Sequence, residues 1–536
     1  MFDASLSQFV DRLASSRPTG IAMYDRDRPV TYAQLAEQSR RLATGLAELG
    51  VQTGDRVAVW LPNIPAWFTC FFACARLGAI AVAVNTRFKS GEIADIVGRS
   101  GAKVVIYWPG FKGIDFAGIM AEADGQAFDA VRAFVVYGED DAPVPAAIHD
   151  IPGHDFRRLV TSGPMREDHG GPEHGCVIFT TSGTTRAPKF VLHPQRSIIA
   201  HANDVATALD IRAEDAVVMP SVPFCGVTGF CQATAALAAM RTIVSMPAFD
   251  AAEAARLIRR HQVTHTVAIG DMVENLLAAA TAAGAEPERP FPSLRVVGFA
   301  TFSPTQAQIV PEAVARGLPL LGLYGSSEMQ ALFSRQMPDL AVDERVRGGG
   351  KPMSGAAHVR VRDPDSGQLL PPGQSGELEL AGPSRMLGYF DNPEATRDAL
   401  TEDGYFRSGD LGFLTGDGRF VYQNRMGDVL RLAGFLVSPV EIESYLKEHP
   451  AVADAQVVGI EIGGSPRAVA FVIEADGVPS SEAELIAHCR QRMANYKVPA
   501  HIMPIDAFPV TPSANGNKIQ KAQLRQIAQT RLAETR

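Results

Sequence analysis

Between residues 31 and 108 the chain repeats one alternation, a helical pattern followed by a short apolar run, and this restricts the fold more than any other feature. Thr31-Tyr-Ala-Gln34 reads as a capping box, a hydroxyl residue with an amide side chain three positions on, opening an amphipathic helix to about Leu49. Gly54-Asp-Arg56 turns into Val57–Leu61, a buried strand by its length and apolar content. Residues 65–78 have helical spacing and few charges, which predicts a helix buried on several faces. Ala79–Val84 and Val104–Trp108 read as further strands. A parallel strand pair needs a long crossover and a helix supplies it, so strands separated by helices predict parallel α/β sheets.

The pattern resumes at Cys176–Thr180, a strand that runs straight into a Ser/Thr/Gly loop, with a helix following from about Pro194 to Leu209. Ser303-Pro304-Thr-Gln306 is a second capping box with proline at the first helical position; its helix ends near Gly317, and Leu318–Leu323 is the next strand. Past residue 350 short strand-like segments with Gly/Pro turns dominate, as at Asp363-Pro-Asp-Ser-Gly367, predicting a distorted β-barrel or sheet subdomain. Arg345, Arg347 and Gly348-Gly-Gly350 read as a flexible loop, and Gly416-Asp-Gly418 as a hairpin-like turn. After Arg425 the spacing predicts a small α+β domain. It has a helix from Ser438 through about Lys447, strands at Val452–Ile460 and Ala468–Ile473, and a helix at Glu482–Asn495. The boundary falls at 426–428, separating 1–425 from 428–536. A length of 536 residues already argues for two or more domains.

The formal net charge of -9 gives no basic footprint for nucleic acid. Any polyanion must be held by local charge and backbone N–H groups. None of the six cysteines forms a C-x-x-C pair or has a His cluster at zinc spacing, so buried thiols in a reducing compartment are expected. No apolar stretch reaches the roughly 18 residues of a membrane span. The start, Met1-Phe-Asp-Ala-Ser5, lacks a basic n-region, which argues against a secretory signal. A soluble, cytoplasmic protein is the expectation.

Thr181-Ser-Gly-Thr-Thr-Arg-Ala-Pro-Lys189 packs hydroxyls, one glycine and one lysine between a strand and a helix. Small residues let backbone N–H groups approach a phosphate; the hydroxyls of Thr181, Ser182, Thr184 and Thr185 add donors, and Lys189 adds charge. A plain polar turn is the competing reading. It is not a Walker A motif, since G-x-x-x-x-G-K-[ST] is absent.

The loop resembles that of the adenylate-forming superfamily of acyl-CoA synthetases, peptide-synthetase adenylation domains and firefly luciferases, roughly T-S-G-T-T-G-x-P-K-G. Two of its glycines are replaced here, by Arg186 and Phe190. Further motifs follow in the family's order. Gly322-Leu-Tyr-Gly-Ser-Ser-Glu328 resembles Y-G-x-T-E, Tyr405-Phe-Arg-Ser-Gly-Asp410 resembles the T-G-D motif, and Arg425 matches an arginine near the domain junction. Ala433-Gly-Phe435 before Ser438-Pro-Val-Glu-Ile-Glu443 resembles a pantetheine-tunnel loop. Pro509–Ile519 resembles P-x-T-x-S-G-K-I with extra residues before the lysine.

The resemblance implies a large N-terminal domain of two doubly wound sheets plus a distorted β-barrel subdomain, with a small mobile α+β C-terminal domain. It implies an AMP-forming ligase that adenylates a carboxylic acid with ATP and Mg²⁺, then passes the acyl group to coenzyme A. Thr181, Ser182, Gly183, Thr184, Thr185 and Lys189 would hold the phosphates, and Glu328 with Thr184 the Mg²⁺. Tyr324, with Gly325, Ser326 and Ser327, would flank adenine, and Ala300 of Gly298-Phe-Ala-Thr301 would lie along its other face. Asp410 would take the ribose hydroxyls and Arg425 the ribose or a phosphate. Lys518 would be the adenylation lysine, with Lys521 as the alternative register. Gly427 would be the hinge, a simple loop glycine being the other reading; Gly434 and Phe435 would line the coenzyme A tunnel. Phe224, Cys225, Val227, Phe299 and Met329 would form the acyl pocket, whose apolar lining suits an uncharged acyl or aryl acid. The expected partners are these small molecules, with no nucleic acid and a homodimer left open as the assembly. Transfer to a carrier protein, a luciferase-like monooxygenase and a non-catalytic nucleotide-binding protein stand as alternatives.

Overall fold

The computed structural model describes residues 4–534 except 139–143, 182–187, 301–308, 429, 433–434, 463–464, 476–477, 479, 494, 496 and 514–515. Thr31 caps the helix Tyr32–Glu48 through the expected box, its hydroxyl accepting from the Gln34 amide while the Gln34 side chain accepts from Thr31 N–H. The early strands Arg56–Trp60, Ile80–Ala83, Val104–Tyr107 and Ala133–Val136 pair in parallel with strand Gly175–Thr180 inside a nine-stranded sheet. Their side chains alternate between two cores: Val57 and Val59 face one, Ala58 and Trp60 the other. The second sheet carries parallel strands Val217–Met219, Thr242–Ser245, His265–Ile269, Val296–Ala300 and Leu320–Tyr324.

The largest core lies between these sheets. It joins Val57, Val177 and Phe179 of the first to Val218, Ile243, Val267 and Leu321 of the second. The helix Pro65–Leu77 contributes to it, with every residue buried and Gly78 closing it in the left-handed conformation.

Past Tyr324 the second sheet does not stop. Antiparallel strands continue it, so that the β-rich region after residue 350 extends an α/β sheet to thirteen strands. The expected flexible loop at Gly348–Gly350 is instead part of that seam. Gly349–Pro352 is a strand pairing with Phe420 and Val421 on one side and with Ser334 and Arg335 on the other. Glycine serves close approach here, because a Cβ on Gly350 would stand 2.1 Å from the Arg335 carbonyl oxygen. The capping box at Ser303–Gln306 lies outside the described residues; the described helix is Val310–Ala315, and Gly317 follows it with φ 73°.

A 3₁₀ turn at Met426–Asp428 leads into the smaller C-terminal domain. There strands Val452–Ile462, Ser465–Glu474 and His501–Pro504 form a sheet, with helices Pro439–Leu446, Glu482–Arg492 and Lys521–Glu534. Among the described residues no helix is long and apolar enough to cross a membrane.

Candidate active site

In the second sheet, strands Val296–Ala300 and Leu320–Tyr324 are parallel neighbours, so Ala300 and the turn after Tyr324 open at the same carboxyl edge. Open α/β sheets bind ligands outside the carboxyl ends of their strands. Strand Gly175–Thr180 of the first sheet leads into Thr181. Thr181 N–H donates to the Lys189 carbonyl at 3.0 Å, and Lys189 N–H donates to Thr181 Oγ1 at 3.2 Å. These two bonds close the neck of a loop whose members Ser182, Gly183, Thr184, Thr185 and Arg186 lie outside the described residues. The bulky Phe190 has a local explanation. Its ring is buried in the core of the first sheet, the Arg99 guanidinium lies 4.2 Å from its centroid, and Arg99 Nη2 donates to the Pro188 carbonyl at 2.9 Å. The outgoing end of the loop is thereby fastened where a glycine would leave it free.

The turn Gly325–Ala331 is held from below by two histidines that sequence reading passed over. His193 Nε2 bonds the Ser327 carbonyl at 2.8 Å and His201 Nε2 bonds the Gln330 carbonyl at 2.9 Å. Burial pushes their pKa values down to about 4 and about 3, so both rings are neutral and donate through Nε2–H. Gln330, in the left-handed region at φ 58°, donates to Ser197 Oγ and the Ser384 carbonyl. A Cβ on Gly325 would lie 1.4 Å from the Ala331 carbonyl oxygen. Nothing in a lone His193 or His201 marks it in sequence as a support, because the carbonyls it meets are about 130 residues away.

Strand Phe406–Leu414 brings Asp410 directly opposite Arg425 of strand Phe420–Arg425. Arg425 Nε stands 3.1 Å from Asp410 Oδ1, and the Tyr324 hydroxyl donates to Oδ2 at 2.6 Å. Among the described residues Oδ1 is buried without a hydrogen-bond partner, since the guanidinium faces it as a charge rather than as an aligned donor. The Ser326 hydroxyl is likewise buried without one. A buried acceptor of this kind fits a ligand hydroxyl. Burial raises the Asp410 pKa to about 6, outweighing the Arg425 charge and the Tyr324 bond. Between its ordinary value of 3.8 and about 6 the folded protein therefore binds the extra proton, and this group's contribution to stability falls as pH rises through that window. A ligand hydroxyl needs the ionised form. Nucleotide affinity is accordingly expected to strengthen as pH rises through about 6 and then level off, and Asp410→Asn to bind weakly and without that step. A binding titration across pH reads both.

The remaining sequence-derived positions divide. Phe224 is wholly buried, its N–H bonded to Asn63 Oδ1 and its ring packed on Trp67 and Phe68. Phe299 sits in a core cluster and Met329 is fully buried in another, while Val227 begins helix Val227–Ala238. Cys225 is the partly exposed member of the five, and burial of its thiol pushes the pKa up to about 12, so it stays neutral. Gly434 lies outside the described residues, and Phe435 begins the strand Phe435–Val437. A Cβ on Gly427 would meet open space, so packing does not demand glycine there.

Lys518 lies on strand Gly516–Ile519, paired with Thr511 of Val510–Ser513. Lys521, the alternative, is engaged elsewhere: its Nζ bonds Glu443 Oε1 at 2.9 Å, and the Glu443 side chain is 2% exposed. Lys521→Ala would leave that carboxylate buried without its cation. It is expected to destabilise the C-terminal domain by about 3 kcal/mol or more, read by denaturant unfolding.

Among the described residues no cluster of three or more His, Cys, Asp or Glu side chains is placed to hold a metal.

Two family models match the chain, AMP-binding enzyme over residues 10–390 and AMP-binding enzyme C-terminal domain over residues 441–515. A long-chain-fatty-acid–CoA ligase of Mycobacterium tuberculosis is 30% identical over 509 residues, covering 93% of each chain. Indoleacetate–CoA ligase of Aromatoleum aromaticum is 30% identical over 530 residues, covering 97% of this chain and 98% of its own. Among solved structures, O-succinylbenzoate coenzyme A synthetase from Bacillus subtilis, in complex with ATP and magnesium ion, aligns with a TM-score of 0.77 at 25% identity. The alignment covers 96% of this chain and 98% of that one. With a family model spanning most of its length and relatives matched end to end, the chain belongs to the AMP-binding enzyme family.

Proposed function

We propose that this protein is an AMP-forming acid–thiol ligase. It joins a carboxylic acid to ATP, releasing pyrophosphate, and then transfers the acyl group to coenzyme A. The observation that supports this most directly is the open Oδ1 of buried Asp410, held beside Tyr324 and Arg425. In the first half-reaction a carboxylate oxygen attacks the α-phosphorus and the bond to the bridging oxygen of the β-phosphate breaks. Neither reactant is activated, and both are negative, so orientation and charge compensation do most of the work. Thr181 to Lys189 bind the β- and γ-phosphates, Asp410 fixes the ribose, Tyr324 and the Gly325–Ser327 turn border adenine, and Lys518 approaches the α-phosphate and acyl carboxylate. Mg²⁺, when bound at Glu328 with Thr184, spreads the phosphate charge. In the second half-reaction the thiol sulfur attacks the acyl carbon, AMP leaves, and the thiol proton passes to solvent. Rotation of the C-terminal domain about 426–428 withdraws Lys518 and brings Gly434 and Phe435 to the thiol's path.

The acid is an uncharged acyl or aryl monocarboxylate. Cys225 is neutral and partly exposed, and the relatives include ligases named for fatty acids and for indoleacetate. Purified protein with ATP, coenzyme A and a panel of acids tests the reading. Pyrophosphate release and thioester formation with a monocarboxylate are expected. No release with any acid would refute the ligase, release without coenzyme A consumption would point to a carrier protein, and best turnover on a dicarboxylate would overturn the substrate class.

A further inference from the structure

We infer that Tyr389 is a positioning residue that orients the Glu328 carboxylate toward the divalent cation of the nucleotide, an inference that rests on the ligase reading above. Tyr389 lies on the two-residue strand Gly388–Tyr389, which pairs with the strand leaving the phosphate loop, Val191 opposite Tyr389. Its N–H donates to Thr396 Oγ1 at 2.9 Å, and the next residue, Phe390, donates its N–H to the Phe190 carbonyl at 2.8 Å. The backbone is thus fixed on both sides. The side chain is 6% exposed, its hydroxyl donates to Glu328 Oε1 at 2.8 Å, and Lys189 Nζ lies 4.6 Å from its ring centroid. One buried ring therefore joins the lysine at the loop's exit to the carboxylate of the opposite turn. The backbone beside that carboxylate is held too, since Met386 N–H donates to the Glu328 carbonyl at 2.8 Å.

The chemistry of the pair is one-directional. A carboxylate oxygen can only accept, so the Tyr389 hydroxyl is the donor of this bond. With Oε1 engaged by the hydroxyl, rotation of the carboxylate is restricted and Oε2 would be the oxygen offered to a cation. Outer partners that orient a metal-binding side chain are worth 10–100-fold in metal affinity.

The test is a calorimetric titration of Mg²⁺ into the full-length protein already holding α,β-methylene-ATP, comparing wild type, Tyr389→Phe, Glu328→Gln and the double variant. Tyr389→Phe keeps the ring and removes only the donor. It is expected to weaken Mg²⁺ binding about 10-fold, to leave metal-free nucleotide binding unchanged, and to raise the Mg²⁺ concentration needed for half-maximal pyrophosphate release without raising KM for the acid. The double variant should bind Mg²⁺ no more weakly than Glu328→Gln alone, because the tyrosine acts through that carboxylate. Wild-type Mg²⁺ affinity in a folded Tyr389→Phe protein, or additive losses in the double variant, would overturn the inference with the ligase reading intact. Failure of the wild-type protein to bind the nucleotide at all would overturn both.

Discussion

Lys518→Ala is expected to slow acyl-adenylate formation by about 10²–10³-fold while leaving transfer from a supplied acyl adenylate to coenzyme A largely intact. The asymmetry follows from charge. In the first half-reaction negative charge accumulates around the α-phosphorus as the carboxylate approaches, and a cation placed there stabilises the transition state more than the ground state. In the second, the departing AMP is already a good leaving group, and the thiol needs positioning more than charge. Lys518 lies on the second strand of the short hairpin Val510–Ser513 and Gly516–Ile519, opposite Thr511. ATP–pyrophosphate exchange reads the first step, and thioester formation from synthetic acyl adenylate reads the second. Equal losses in both would contradict the assignment. Lys521→Ala supplies the contrast, because its deficit should appear in unfolding rather than in one half-reaction.

Gly325→Ala is expected to lower kcat/KM for ATP by about 10²-fold through a displacement rather than a lost contact. The added methyl would stand 1.4 Å from the Ala331 carbonyl oxygen, with the Ala331 carbonyl carbon 2.2 Å away, and no side chain is available to swing aside. The turn must open, yet it is closed by Ala331 N–H donating to the Ser326 carbonyl at 2.7 Å and anchored beneath by His193 and His201. Opening it moves the hydroxyl of Tyr324 and the carboxylate of Glu328, which face Asp410 and Tyr389 from its two ends. The cost in stability should be about 1–3 kcal/mol, because the strain falls on the turn beyond strand Leu320–Tyr324 rather than inside the sheet. Steady-state kinetics with a parallel thermal unfolding curve separates the two effects. Wild-type turnover would show that the turn relaxes without moving its ends.

Much of this was legible along the chain because local physics writes it there. Thr31 and Gln34 cap a helix in any context that lets them meet, and the alternation of Val57, Ala58, Val59 and Trp60 between two cores is a strand's own geometry. The Gly348–Gly350 segment was misread for the same reason. Three glycines signal freedom locally, and only the facing carbonyl of Arg335 reveals that they serve close packing.

The candidate site divides along the same line. The sequence by itself determined which groups are present: a hydroxyl-rich loop after a strand, Glu328 after another, Asp410 and Arg425 in the β-rich region, and a lysine beyond the domain boundary. Tertiary structure alone decided what each of them faces. It set Asp410 across from Arg425 with one oxygen open, tied Lys521 to Glu443, and placed Tyr389 between Lys189 and Glu328. It also packed Arg99 over Phe190, turning an odd replacement into an anchor. The physical reason is range. Propensity and periodicity act over a few residues, whereas the burial and hydrogen bonding that tune these groups come from partners 60 to 200 positions away.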